Sequence, residues 1–298
     1  MSRVFRAPGK LVLVGEYAVL DGAPAVVTAV NHGVACTVSP APERRIETPG
    51  DDRFARTTLE TLDAPPGRYQ FADWNPSPTA TKAGLGGSAA TVVCATLAAL
   101  SLRGEHPRAS TLFRTAEPIH RAAQGAGSGV DVAASAWGGV VCFQDGEATP
   151  LEVEIRPVVV WSGRSVRTGP RVMTYLQWRD RTRFVASATE ISHRFVSDPI
   201  GALGASRRLL EEMANAVGLS YRTPELDHIA TLAQEHGGEA KPSGAGGGDC
   251  AVAMFPDLDS AGRFREVCLR AGHTVLPVQL TGGAHEVPAS PQPVRDAG

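Results

Sequence analysis

The lysines of this 298-residue chain draw attention because they are so few. Of the 29 Lys and Arg residues only three are lysines, and the other 26 are arginines. Each lysine lies in or beside a glycine-containing segment: Lys10 in APGK, Lys82 in KAGLGG and Lys241 in KPSGAGGG. A compact ammonium and a planar guanidinium cannot replace one another at a close-contact site. We therefore expect the chemistry of a site to require these lysines, with solvation at the surface as the alternative for Lys82 and Lys241.

The glycine runs indicate what such a site could hold. They are APGKLVLVGEYAV, KAGLGGSAA, QGAGSGVDVA and KPSGAGGGDC. In the second run the glycines lead directly into a helix-favouring stretch rich in Ala and Leu. Backbone N–H groups without a neighbouring Cβ can surround an anion, and a helix N-terminus adds the positive end of its dipole. The segment from Gly84 to Ser88 therefore predicts a phosphate seat, although Ser88 could also be a plain N-cap.

Other interpretations of these glycine runs have less support in the sequence. GLGGSA fits a dinucleotide-binding fingerprint, but that fingerprint follows an apolar strand, and here NPSPTATKA precedes it. The Walker pattern is absent because Leu11 follows Gly9 and Lys10. Ordinary tight turns explain a single glycine run more readily than four runs with three lysines beside them.

Composition limits the class of protein. A hydrophobic share of 43% with 20% charged residues is typical of a soluble globular protein, and 298 residues suffice for two domains. A formal charge of -2 offers no basic surface for nucleic acid. No apolar stretch approaches the roughly 18 residues that span a bilayer, and the N-terminus has no signal-peptide pattern. The five cysteines form no CxxC motif, so we expect reduced thiols and a cytoplasmic protein.

Strands and helices alternate without a regular βαβ repeat, which predicts the α+β class. Strands are expected at residues 3–14 and at AVL with DGAPAVVTAV, GVACTVSP, GGVVCFQDG, RPVVVWSG and CAVAMF. Helices are expected at residues 89–102, 110–123, 181–195, 204–217, 224–235 and 260–271. Residues 41–80 suggest strand fragments and exposed connections, and the tail from 283 to 298 has too little apolar surface to fold.

Three motifs of the chain together resemble those of the GHMP kinase family, in that family's order and spacing. They are PGKLVLVGEYAVLDGAPAV, GLGGSAA and SGAGGGDC, which extend from residue 6 to about 255. Within the family, GEYAV, GSGVDVA and GAGGGDC are most similar to the phosphomevalonate kinases, whereas mevalonate kinases tend to have GEHAV. The resemblance implies an ATP-binding domain with a left-handed βαβ unit at residues 1–160 and a ferredoxin-like domain at 161–282.

The same resemblance implies an activity and a set of site residues. The activity is ATP- and Mg²⁺-dependent phosphorylation of 5-phosphomevalonate to 5-diphosphomevalonate. Nucleotide binding is implied for Lys82, Gly84, Leu85, Gly86, Gly87, Ser88 and Ala89, with the Ser88 hydroxyl on Mg²⁺. Catalytic roles are implied for Lys10 and Asp131. Acceptor binding is implied for Lys10, Tyr17, Ser128, Asp131, Ser243, Gly244, Ala245 and Gly246.

The chemistry of the acceptor qualifies the role of Asp131. A phosphomonoester has a second pKa near ~6 and is mostly dianionic at pH 7, so its attacking oxygen scarcely needs a base. We therefore expect Asp131 to orient Lys10 and the acceptor, while Lys10 neutralises charge between donor and acceptor. The alternative is that Asp131 only caps a helix after a glycine turn.

Two positions depart from the family pattern. Gly87 stands where the family usually has a second serine, which removes one hydroxyl from the phosphate or metal site. His120 stands eleven residues before Asp131, where mevalonate kinases carry a glutamate metal ligand. Glu117, one helical turn earlier, is the alternative ligand, and His120 itself is expected to be a packed or surface residue.

Six arginines crowd the segment from 164 to 183, and one or two of them are expected to bind the anionic groups of the acceptor. They are Arg164, Arg167, Arg171, Arg179, Arg181 and Arg183. The rival functions are a mevalonate kinase or another small-molecule GHMP kinase, a catalytically silent GHMP-like binding protein and, more distantly, a nicotinamide enzyme. The chain is expected to be a monomer or a homodimer, with no nucleic-acid or membrane partner.

Overall fold

The computed structural model describes residues 2–76, 78–79, 82–125 and 127–288. Its strands are β1 (Arg3–Val14), β2 (Ala25–Ser39), β3 (Arg44–Glu47), β4 (Gly67–Trp74), β5 (Val140–Gln144), β6 (Glu147–Pro150), β7 (Val158–Trp161), β8 (Glu239–Pro242), β9 (Cys250–Met254), β10 (Thr274–Leu276) and β11 (His285–Val287). Its α-helices are α1 (Arg53–Thr61), α2 (Gly87–Leu102), α3 (Ala109–Gln124), α4 (Val130–Trp137), α5 (Thr168–Leu176), α6 (Thr182–Arg194), α7 (Pro199–Val217), α8 (Pro224–Glu235) and α9 (Leu258–Arg270).

The first sheet contains strands from both ends of the described chain. Its order is β11-β1-β2-β4-β3, and β5 joins β2 and carries β6. The parallel neighbours β3 and β4 are joined through α1, which gives a β-α-β unit. Side chains of α2, α3 and α4 cover one face of this sheet in a continuous apolar core.

Strand β1 is apolar on both faces because it lies between two cores. Side chains such as Phe5 and Val12 belong to the core under the helices, whereas Leu11 and Leu13 belong to a second core shared with β9. Successive side chains of a strand point to opposite faces, so a strand buried on both sides needs an uninterrupted apolar run. The run LVLV in β1 meets that need and brings the first glycine motif against the last one.

The second sheet has the order β10-β7-β9-β8, and all its neighbours are antiparallel. Across the sheet, the strands are the fourth, first, third and second in chain order, and helices follow the first and the third. This is the ferredoxin-like arrangement. Residues of α8 and α9 cover its outer face. The predicted α+β class and two-domain architecture are confirmed.

Several local predictions are wrong. The two strands expected between residues 23 and 40 are one strand, because the register with β1 jumps from Pro8–Gly33 to Gly9–Val30 and the chain bulges without ending. AVL begins a 3-10 turn (Ala18–Asp21). In residues 41–80 the expected strand fragments are present as β3 and β4, whereas the helix α1 between them was not predicted.

The chain end also differs from the prediction. Residues 285–287 form β11 and pair with β1, so the expected disorder from residue 283 is wrong there. Residues 289–298 lie outside the described part of the chain. The predicted domain boundary at 160 and 161 falls inside β7 and stays a prediction. Across the described residues, no helix combines the length and apolar character that a bilayer crossing requires.

Candidate active site

The N-terminal glycine loop (residues 82–89) leads into α2, which begins without a side-chain cap. Gly86 is the N-cap of α2 with a left-handed backbone (φ 81°), and no side chain caps the helix. The amides of Gly87, Ser88 and Ala89 have no acceptor among the described residues. A Cβ on Gly86 would lie 2.8 Å from Cγ of Lys10, so only glycine lets the loop approach β1 this closely. The arrangement leaves helix-start donors free for an anion.

Ser88 is not the N-cap that its sequence position allowed. It is the second residue of α2, and its Oγ lies 3.3 Å from Nε2 of His120 and 3.4 Å from Oε1 of Gln124. Lys82 is exposed at the edge of the same loop, and its carbonyl accepts a hydrogen bond from Oγ of Ser165.

Lys10 extends from β1 to the point where the motifs meet. Its Nζ lies 3.6 Å from Oδ1 of Asp131, and its side chain is only 9% exposed. Burial acts to lower the pKa of Lys10, but the negative groups around it, Asp131 foremost, raise it by more, so the net pKa lies above its usual value. Lys10 is therefore a cation at neutral pH beside a helix start that also attracts negative charge.

Asp131 lies in the first turn of α4, whose N-cap is Gly129 with a left-handed backbone. The N-terminus of a helix stabilises a carboxylate, so the position suits an ionised Asp131. Ser128, two residues before the helix, accepts a long hydrogen bond (3.4 Å) from the amide of Val130. Asp131 therefore lies close enough to Lys10 for the expected orienting role, which stays a prediction.

The C-terminal glycine loop (residues 243–249) joins β8 to β9 and faces Lys10 from the opposite side. A Cβ on Gly244 would lie 3.8 Å from Nζ of Lys10. At the start of this loop, Oε1 of Glu16 accepts hydrogen bonds from Nζ of Lys241 and from the amide of Gly244 (3.3 Å). Lys241 also donates to the carbonyl of Pro242 (2.8 Å). Glu16 thus ties the loop to the end of the first motif.

Lys241 is a buried residue, so the alternative that it is solvated at the surface is wrong. Its side chain is 0% exposed and pairs with Glu16, which is 3% exposed. Burial lowers the pKa of Lys241, although Glu16 opposes that shift. An unbranched ammonium fits between a carboxylate and a carbonyl where a guanidinium fork has no room to spread. This explains why an arginine-rich chain keeps lysine here.

Two predicted acceptor-binding side chains are engaged elsewhere in the protein. The hydroxyl of Ser243 donates to the carbonyl of Val12 (3.2 Å) and accepts from its amide (2.9 Å). The hydroxyl of Tyr17 donates to the carbonyl of Ala245 (2.7 Å). Both residues therefore hold the C-terminal glycine loop in place.

Comparison with known proteins places this geometry in a family. The model of the GHMP kinases N-terminal domain matches residues 75–139, and that of the GHMP kinases C-terminal domain matches residues 199–274. A mevalonate kinase of Archaeoglobus fulgidus is 30% identical over 284 residues, which cover 87% of this chain and 94% of that protein. The chain belongs to the GHMP kinase family. It is therefore related to phosphotransferases.

One further relative of this GHMP kinase and one solved structure carry the name phosphomevalonate kinase. The enzyme of Streptomyces sp. (strain CL190) is 29% identical over an alignment of 367 positions, which covers 93% of this chain and 96% of that protein. The solved structure of the Streptococcus pneumoniae enzyme in complex with phosphomevalonate and AMPPNP has a TM-score of 0.80 at 20% identity and covers 94% of this chain and 100% of that one. The second likeness shows the shared fold.

The residues around Ser88 in this GHMP kinase suit a weakly held Mg²⁺. Its hydroxyl offers one oxygen ligand of the kind that Mg²⁺ prefers. Glu117, the alternative ligand, is paired with Arg121. His120 is buried and stacks on Phe54, and burial lowers its pKa. No group of three His, Cys, Asp or Glu side chains in the described ranges could hold an ion, so phosphate oxygens would supply most of the ligands.

Sequence reasoning missed Asp249, the residue that ends the C-terminal glycine loop. Its Oδ1 accepts from the amide of Val166 (3.1 Å), and a Cβ on Gly84 would lie 2.5 Å from its side chain. Burial raises the pKa of Asp249. The residue therefore connects both glycine loops with the segment before α5. Asp249 is the aspartate of the motif GAGGGDC, and this position in the sequence could have indicated its role.

Two of the six crowded arginines contact the C-terminal glycine loop: Arg171 through its guanidinium, and Arg164 through its carbonyl, which accepts from the amide of Asp249 (2.8 Å). Arg171 donates through Nε to the carbonyl of Ala245 (3.1 Å) and through Nη2 to that of Ser220 (2.7 Å). Arg181 instead pairs with Asp21, 2.7 Å away. Arg164 faces Glu225 at 3.4 Å, and the other three arginines are exposed: Arg167, Arg179 and Arg183.

Proposed function

We propose that this GHMP kinase transfers the γ-phosphate of ATP to 5-phosphomevalonate and releases ADP and 5-diphosphomevalonate. The observation that carries the proposal is the position of Lys10. Its buried ammonium lies beside the uncapped start of α2, beside the C-terminal glycine loop and 3.6 Å from Asp131. Phosphoryl transfer depends mainly on positioning and on neutralising charge, and these groups supply both.

The two loops divide the binding work. The free amides of Gly87, Ser88 and Ala89 are suited to the phosphates of ATP, with Lys82 at the edge of the loop. The C-terminal glycine loop is suited to the anionic groups of phosphomevalonate, because the amides of Ala245 and Gly246 donate no hydrogen bond to any of the described residues. When bound, Mg²⁺ would be held by Ser88 and phosphate oxygens and would neutralise phosphate charge.

Bond making and breaking then need little proton transfer. An oxygen of the acceptor phosphate attacks the γ-phosphorus, and the bond from that phosphorus to the β,γ-bridging oxygen breaks. The acceptor phosphate is mostly dianionic above its second pKa of about 6, so it needs no base. Lys10 neutralises charge between the two phosphates, and Asp131 holds the Lys10 ammonium in position.

The acceptor is supported by two features. The phosphomevalonate kinase of Streptomyces sp. aligns with 93% of this chain. The motif GEYAV supplies Tyr17, whose hydroxyl orders the C-terminal glycine loop.

Five free cysteines, four of them buried, fit a protein that works in the cytoplasm.

Mevalonate kinase activity is the second candidate, favoured by the relative from Archaeoglobus fulgidus. Its acceptor is an alcohol, for which Asp131 would have to serve as a base. Release of ADP from ATP should be measured with purified protein and each acceptor in turn, with the product identified by phosphorus NMR. Turnover with phosphomevalonate and a new diphosphate signal is the expected result. Turnover with mevalonate alone would overturn the assignment.

A further inference from the structure

The amides of the C-terminal glycine loop fall into two groups. Four of them donate inside the protein: Ser243 to the carbonyl of Cys250, Gly244 to Glu16, Gly247 to the carbonyl of Tyr221, and Asp249 to the carbonyl of Arg164. Those of Ala245, Gly246 and Gly248 have no acceptor among the described residues. Gly246 is buried, and a buried N–H without a partner is costly until a ligand or a water takes it. Two of the three amides without a partner, those of Ala245 and Gly246, are consecutive in the middle of the loop.

The orientation of these donors is set by one carbonyl group. The carbonyl of Ala245 accepts from the hydroxyl of Tyr17 (2.7 Å) and from Nε of Arg171 (3.1 Å). Because the peptide unit is planar and trans, the carbonyl of residue 245 and the amide of residue 246 point in opposite directions. The two donors therefore turn the amide of Gly246 away from themselves.

We propose that Arg171 is a positioning residue of the reaction, which orients the Ala245–Gly246 peptide so that its amide meets the anionic group of the acceptor. The inference rests on the proposed function, since it assumes that this loop binds the acceptor. It differs from the sequence expectation, because Arg171 acts through the loop and its two hydrogen bonds go to carbonyl groups.

The geometry calls for arginine at this position. Nε and Nη2 of Arg171 reach the carbonyls of Ala245 and Ser220 at once, and these belong to different segments. Nη1 lies against the loop, where a Cβ on Gly247 would come within 2.9 Å of it. A planar fork can hold two fixed acceptors in one plane, whereas a lysine ammonium presents a single point. Arg171 thus locks the loop onto the turn that follows α7.

Two substitutions separate positioning from charge. Arg171→Met removes both anchors and the charge, whereas Arg171→Lys keeps the charge and loses the fork. Arg265→Met, on the exposed face of α9, is the matched control. We expect both Arg171 variants to raise the KM for the acceptor by about 10- to 100-fold, the usual range for lost hydrogen bonds to a charged group, with the KM for ATP changed less than about twofold.

A double-mutant cycle with Tyr17→Phe tests the shared carbonyl. Both side chains act on the same peptide, so the combined loss should be clearly smaller than the product of the two single losses. A wild-type KM for the acceptor in Arg171→Lys would show that charge alone matters and would overturn the proposal. A lower melting temperature with both KM values unchanged would reduce Arg171 to a structural role and would also overturn it.

The test stays separate from that of the proposed function. Wild-type protein is first assayed with phosphomevalonate and with mevalonate, and the acceptor that turns over is used for all variants. Turnover of mevalonate alone would overturn the proposed function, and the KM values of the Arg171 variants would then be compared with mevalonate as the acceptor. Calorimetric titration of phosphomevalonate and of ATP into each variant gives the two affinities without turnover. Weaker acceptor binding at unchanged ATP binding supports the proposal, and equal losses contradict it.

Discussion

The two glycine loops beside Lys10 are held in different ways. The N-terminal loop forms its anion donors from backbone: the chain turns at Gly86 and α2 begins without a side-chain cap. The C-terminal loop is held by side chains from elsewhere, namely Glu16, Tyr17 and Arg171. A loop that extends into a helix gains its anion donors from local geometry, whereas a loop between two strands has to be oriented by its surroundings. Apart from Lys10 and Asp249, which touch both loops, residues that hold one loop should therefore be replaceable without loss of the other.

Lys10 is the group that both loops share, so its loss should have the largest effect. Lys10→Met removes the buried cation between donor and acceptor and is expected to lower kcat by about 10³-fold or more. Steady-state assays with saturating ATP and acceptor measure the effect, and circular dichroism checks the fold. A kcat within about tenfold of the wild type would show that Lys10 is not the shared group.

Lys241→Met should damage the C-terminal loop through stability. It leaves the Glu16 carboxylate buried without its partner, for which losses of about 3–5 kcal/mol are typical. Glu16→Gln together with Lys241→Met removes both charges and should recover part of that loss. Urea unfolding measures the three free energies, and a loss below about 1 kcal/mol for Lys241→Met would contradict the account.

Gly86→Ala tests the N-terminal loop and its close approach to Lys10. The added Cβ would lie 2.8 Å from Cγ of Lys10 in a backbone with φ of 81°, and strain of this kind costs about 1–3 kcal/mol. We expect the KM for ATP to rise about tenfold and that for the acceptor to change little. Gly87→Ala is the matched control, since its Cβ would meet no atom within 4 Å. Equal effects of the two substitutions would argue against the close approach.

The smallest expected effect is a pH dependence at the C-terminal loop. Burial raises the pKa of Asp249, so the folded protein holds this proton more tightly than the unfolded chain does. Its contribution to stability is present below the unfolded pKa and is lost as pH rises through the folded value. Asp249→Asn does not titrate, so its stability relative to the wild type should increase as pH rises above the unfolded pKa of about 4. Unfolding at several pH values measures the difference, and a constant difference would contradict it.

The sequence was sufficient where local geometry decides the structure. The irregular alternation of strands and helices predicted the α+β class, and the resemblance carried by the three motifs implied the two-domain fold and an Asp131 that orients Lys10. Ser88 was less well predicted, because a serine one residue inside a helix and a serine at its N-cap give the same pattern.

Contacts between distant segments could not be predicted in the same way. Arg171 was one of six similar arginines, and its contact with Ala245 depends on how α5 packs. Lys241 looked like a loop residue because its partner, Glu16, lies 225 positions away in the sequence. The terminal strand β11 was missed because its apolar content is low, and pairing with β1 supplies the hydrogen bonds that order it.

The central claim is that the start of α2 and the Lys10 ammonium together bind the phosphates of ATP. Calorimetric titration of a non-hydrolysable ATP analogue with magnesium into wild-type protein and into the Gly86→Ala and Lys10→Met variants tests it most directly. The account predicts one saturable site in the wild type and clearly weaker binding in both variants. Absence of binding to the wild type, or equal affinity in all three proteins, would contradict it.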